Sequence, residues 1–130
     1  MNSQAPVRKV LPGRPRHSIV ADVMTKHVHV AGPEAPFKTL VRLIEENRVG
    51  AIPIVDQQGV PIGTVSQADL TLKGNVASDV MTSPATTVAA DALVSEAARL
   101  MQNKTVRHLV VVDRRGRIAG IVSRSNMLRG

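Results

Sequence analysis

Asp22-Val23-Met24-Thr25 returns 57 residues later as Asp79-Val80-Met81-Thr82, and the chain keeps repeating in that register. Arg42-Leu43 becomes Arg99-Leu100, Val55-Asp56 becomes Val112-Asp113, Gly59 and Gly63 become Gly116 and Gly120, and Val65-Ser66 becomes Val122-Ser123. About 14 identities over roughly 50 positions, none needing a gap, exceed what shared composition yields. The chain therefore reads as two copies of one unit, half-size modules sharing a core, over residues 18–74 and 75–130.

Each structural reading can then be made twice. Phe37, Leu40, Val41 and Ile44 fall on one helical stripe, and Val94, Ala97, Ala98 and Met101 repeat it. Pro33 and Pro36 suit the start of the first helix, and Asp91 suits an N-cap of the second. Two apolar runs follow each helix: Ala51 to Val55 and Val60 to Val65, then Leu109 to Val112 and Arg117 to Val122. Asp56 to Gly59 and Asp113 to Gly116 join them as tight hairpins, with glycine free to take positive φ. Val28 to Val30, and its counterpart near Thr86 to Val88, suit a leading strand. Each copy reads β-α-β-β followed by a short helix near Ser66 or Ser123. The fold class is α+β, two tandem repeats packed around a pseudo-twofold axis.

Composition narrows the function classes. With 130 residues and 43% apolar content, one small domain is expected. There is no Cys, hence no disulfide or thiolate zinc site, which suits a cytoplasmic protein. No run of about 18 apolar residues could span a membrane, and the N-terminus lacks the apolar stretch of a secretory signal. The net charge of +7 is uneven. Arg8, Lys9, Arg14 and Arg16 sit among prolines in residues 1–17, which read as a disordered basic arm. That arm could touch phosphates, but a single Phe supplies no stacking platform, so nucleic acid stays a minor alternative.

The most informative stretch is Gly63-Thr64-Val65-Ser66-Gln67-Ala68-Asp69, repeated as Gly120-Ile121-Val122-Ser123-Arg124-Ser125-Asn126. A strand ends and a helix starts there, so Ser66 with Asp69 and Ser123 with Asn126 read as capping boxes. Such a helix start can also offer oxygens and N–H groups to a ligand. With the Asp-Val-Met-Thr openings, Gly50-Ala51-Ile52-Pro53-Ile54-Val55-Asp56 and Arg107-His108-Leu109-Val110-Val111-Val112-Asp113, these ends resemble the CBS domain in its tandem pair, the Bateman module.

The resemblance covers residues 18–130 and implies a non-catalytic regulatory module. It would bind an adenine nucleotide (AMP, ADP or ATP) or a related ligand such as S-adenosylmethionine or NAD between the repeats. It implies that Asp69 holds the ribose diol, that Ser66 and Ser123 lie near ribose or phosphate, and that Val28, Ala51, Thr64, Val106 and Ile121 wall the adenine. Thr86 joins this set, and Arg107-His108 stand where phosphates are contacted. Asn126 replaces the acid in copy two, so that half is expected to bind more weakly. Val110, where copy one has Pro53, is expected to be neutral for binding. The resemblance further implies a homodimer built through helices and a regulated protein partner. A ligand-independent interaction module remains the alternative.

Other chemistries find less support. His27 and His29 at strand spacing would share a face and could seed a metal site, but no third ligand is evident. Asp22 and Asp79 read as N-caps of short turns. Glu45-Glu46 has no converging partner for acid-base work, and neither repeat serine has an identifiable base. No enzyme is expected.

Overall fold

The computed structural model describes residues 18–129. The proposed basic arm, 1–17, lies outside them. The elements run α1 (Val20–Val23), α2 (Phe37–Asn47), β1 (Ala51–Val55), β2 (Pro61–Ser66), a 3-10 turn (Ala68–Thr71), α3 (Ala77–Val80), β3 (Thr87–Ala89), α4 (Val94–Lys104), β4 (His108–Val112), β5 (Ile118–Ser123) and α5 (Arg124–Arg129). Helices α2 and α4 each carry one buried stripe: Leu40 and Ile44, then Ala97 and Met101. Leu43 and Leu100 pack beside them, whereas Ala98, expected in the stripe, is exposed.

The hairpins form as their sequences dictate. Asp56 accepts from the N–H groups of Gln58 and Val60, both at 2.9 Å, and Asp113 accepts from those of Arg115 and Arg117 at 2.8 and 3.0 Å. Gly59 and Gly116 sit at φ 83° and 79°, where a side chain would be strained. β1 pairs antiparallel with β2, and β4 with β5, each with a bulge at the same repeat position.

The copies differ at their leading strands. In copy two, Thr87–Ala89 runs parallel to β4, held in part by bonds from Val110 N–H to Thr86 O (3.0 Å) and from Ala90 N–H to Val112 O (3.1 Å). The corresponding donors in copy one are Pro53 and Pro33, which have no N–H. The strand expected at Val28–Val30 is therefore not formed, and only Ala31 bridges to Ile54. Val110 matters for the sheet. Three further expectations are corrected. The final helix of copy one is a single 3-10 turn, ending where Leu72 becomes extended. Asp22 and Asp79 are third helical residues whose carboxylates reach back to the N–H groups of Ile19 (3.1 Å) and Val76 (3.1 Å). Glu96, and not Asp91, does this for α4, accepting from Leu93 N–H at 2.8 Å.

Two apolar clusters form, and each takes one short helix from the other copy. Ala77 and Val80 of α3 join Leu40, Ile44, Ile52, Ile54 and Val65 of copy one. Val20 of α1 joins Ala97, Met101, Leu109, Val111 and Val122 of copy two. Backbone bonds fix this exchange: Val20 N–H to Ala92 O at 2.8 Å, and Ala77 N–H to Ala35 O at 2.9 Å. Because full burial of a valine is worth about 1.5 to 3 kcal/mol, separating the copies would expose part of each core. Ile118 N–H also bonds to Gly59 O at 3.1 Å across the axis. Its counterpart, Pro61, has no N–H to return that bond.

Candidate ligand cleft between the repeats

Two glycines let the chain cross close to a strand. A Cβ at Gly120 would lie 2.8 Å from the carbonyl oxygen of Thr25 and 2.7 Å from Met24 Sδ; one at Gly63 would meet Thr82 O at 2.9 Å and Met81 Sδ at 2.7 Å. With no Cβ there, Thr25 exchanges two backbone bonds with Ile121, at 2.8 and 3.0 Å, and Thr82 does the same with Thr64, at 2.8 and 3.0 Å. Residues 25–29 are thereby laid beside the end of β5.

At that end Asn126 Oδ1 accepts from the N–H (2.9 Å) and hydroxyl (2.8 Å) of Ser123, and Ser123 Oγ accepts from Asn126 N–H (3.2 Å). Asn126 Nδ2 lies 3.5 Å from Thr25 Oγ1 and donates to it. The expected capping boxes are present in both copies. Asp69 accepts from the N–H (2.8 Å) and hydroxyl (3.1 Å) of Ser66, and from the hydroxyl of Thr82 (3.3 Å). The two ends are alike in shape and in their serine bonds, but the threonine bond is reversed: Thr82 donates to Asp69, whereas Asn126 donates to Thr25.

The third wall starts at Arg48, which turns the chain out of α2 in the left-handed region at φ 54°. Gly50 follows, and a Cβ there would lie 2.6 Å from His108 Nε2. Glycine in copy one is what admits the imidazole of copy two. Burial lowers the His108 pKa from 6.5, and the nearby Arg107 guanidinium adds to that, so the ring favours its neutral form.

These walls enclose a cavity of about 210 Å³ lined by Thr25, His27, Val28, His29, residues 48–52, His108, Ile121, Ser123 and Asn126. Of the residues singled out in the sequence, it brings together Val28, Ala51, His108, Ile121, Ser123 and Asn126. Thr64, Ser66 and Asp69 lie at the pseudo-symmetric end of β2, outside it. Thr86 precedes β3, where its carbonyl takes the Val110 N–H. Val106 and Arg107 line a larger cavity, of about 810 Å³, against α4 and α5. Sequence reasoning missed Thr25, Arg48, Val49, Gly50 and Ile52, although Thr25 closes the repeated Asp-Val-Met-Thr. His27 and His29, expected on a half-exposed strand face or less readily at a metal site, are exposed residues of this rim and lie outside any strand. Among the described residues, no group of three His, Cys, Asp or Glu could hold a metal ion.

A family model for the CBS domain matches the chain twice, over residues 20–73 and 77–130. The chain belongs to the CBS domain family. This CBS pair is 30% identical to CBSX2 of Arabidopsis thaliana, solved in complex with AMP, over 85% of this chain and 93% of that one, with a TM-score of 0.79. The CBS domain pair of protein MJ0100 shares the fold at a TM-score of 0.82, with 22% identity over 87% of this chain and 94% of that one. Protein MK0525 of Methanopyrus kandleri is 31% identical over 85% of this chain and 61% of its own length. The pair spans only 24% of a homoserine O-acetyltransferase of Methanococcoides burtonii that it also matches. No helix among the described residues is long and apolar enough to cross a membrane.

Proposed function

We propose that this CBS pair is a non-catalytic sensor that binds an adenosyl ligand between its repeats. The observation that carries the reading is the cavity itself, which has an apolar wall from both repeats (Val28, Ala51, Ile121) and a hydroxyl and amide end at Ser123 and Asn126. The AMP held by CBSX2, at 30% identity, supports the ligand class. At about 210 Å³ the cavity is smaller than the roughly 300 to 1,000 Å³ of a typical small-molecule pocket. It suits the nucleoside, with adenine between the apolar residues, ribose at Asn126 and Ser123, and the charged remainder outside. Asp69, Ser66 and Thr64, at the pseudo-symmetric end of β2, are a second half-site, where the carboxylate accepts from a ribose diol. Ligand binding changes how the pair associates through the face of α4 and α5, where Leu128 is 84% exposed, and a regulated protein reads that change.

Thermal unfolding against AMP, ADP, ATP, S-adenosylmethionine and NAD, with GTP as control, tests the reading. A ligand at about 100 times its dissociation constant adds roughly 2.7 kcal/mol and raises the midpoint by several degrees. Asn126→Ala and Asp69→Ala, which shorten a polar side chain in each half, report which half holds it. No shift with any adenosyl ligand at millimolar concentration refutes the sensor and leaves the ligand-independent module.

A further inference from the structure

Among the described residues, the titratable and charged groups lining the cavity are all basic: His27, His29, Arg48 and His108, with no aspartate or glutamate. The pseudo-symmetric positions of the first three are Pro84, Thr86 and Thr105, all neutral, while the counterpart of Asn126 is Asp69. The mate has Arg107 where this half has Gly50, yet this half still carries more basic groups and lacks the carboxylate. The groups are also sorted by depth. Ala51 and Ile52 are buried, His108 is half-buried, and His27, His29 and Arg48 are exposed. An apolar floor under a basic rim orients a ligand whose base goes in and whose charge stays out. A guanidinium gives a phosphate paired N–H donors at fixed charge, and an imidazole gives it an N–H. Among the described residues, no group of opposite sign lines the rim to stabilise a cation.

Resting on the adenosyl reading above, we propose that this cavity selects ligands carrying a phosphate anion and disfavours the sulfonium cation of S-adenosylmethionine. Arg48 is the principal anion contact, and His27 and His29 extend it. A charge-assisted hydrogen bond contributes about ten- to a hundredfold in affinity, and exposure to salt places this rim toward the lower end.

Isothermal titration of the full chain at low salt with adenosine, AMP, ATP and S-adenosylmethionine tests the proposal. AMP is expected to bind about tenfold more tightly than adenosine, and S-adenosylmethionine no more tightly than adenosine. Arg48→Gln is expected to narrow the AMP-to-adenosine ratio about fivefold. The exposed double variant His27→Gln/His29→Gln narrows it less, and gives an independent reading if Arg48→Gln fails to fold. Equal affinity for adenosine, AMP and S-adenosylmethionine, or a preference for the sulfonium, overturns charge selection while the adenosyl reading stands. An unchanged ratio in the folded rim variants overturns the assignment to this cavity. Absence of binding by all four compounds overturns both.

Discussion

Replacing Gly120 by alanine tests whether close crossing of the chain holds the two repeats together. The new methyl would lie 2.8 Å from Thr25 O, 2.7 Å from Met24 Sδ and 3.1 Å from Met24 Cγ, against the roughly 3.5 to 4.0 Å of an ordinary contact. The thioether can swing aside, but the carbonyl is held by its 3.0 Å bond from Ile121 N–H. Relief therefore requires the Thr25 segment to lift off β5. Overpacking costs about 1 to 3 kcal/mol, a weakened backbone bond about 1 more, and the stiffer unfolded chain returns about 0.5. The net is a loss of roughly 1.5 to 3.5 kcal/mol, read in urea as a lower midpoint at unchanged slope. Gly32→Ala is the control, because nothing lies within 4 Å of its Cβ position; it is expected to be neutral or to stabilise by about 0.5 kcal/mol. Gly63→Ala should behave like Gly120→Ala, since its methyl meets Thr82 O at 2.9 Å. A Gly120→Ala protein within about 0.5 kcal/mol of wild type would refute the reasoning, as the predicted clash would then cost no more than a surface substitution.

Thr105 closes α4 at φ 56°, a left-handed conformation that β-branched residues disfavour. Thr105→Gly is expected to stabilise by about 1 kcal/mol in the same urea assay, and a loss of stability would count against the strain. His108 gives a pH signature. Its folded pKa is lowered from 6.5, so the unfolded chain takes up the proton first, and its contribution is complete above that value and lost as pH falls below it. Between pH 7.5 and 5.5, stability should fall less steeply in His108→Gln than in wild type; identical slopes would contradict a desolvated imidazole.

Much of this protein is local and was therefore readable along the chain. Asp56 and Asp113 bond to N–H groups two and four residues on, and Ser66 with Asp69 and Ser123 with Asn126 close over three residues. The missing strand was also written in the sequence, since Pro33 and Pro53 remove the N–H groups that Ala90 and Val110 supply. What the sequence could not decide was partnership. The two Asp-Val-Met-Thr segments are identical, so nothing in either says that Val23 packs against the core of copy two while Val80 enters that of copy one. The cleft depends on the same choice. Thr25 reaches the wall that holds Asn126 because Gly120, far from it in sequence, lets backbone lie on backbone, and His108 fits only where Gly50 leaves room. Hydrogen bonds within a few residues are set by the chain itself, whereas contacts between distant segments are set by which packing buries the most apolar surface, and that is settled only when the whole chain folds.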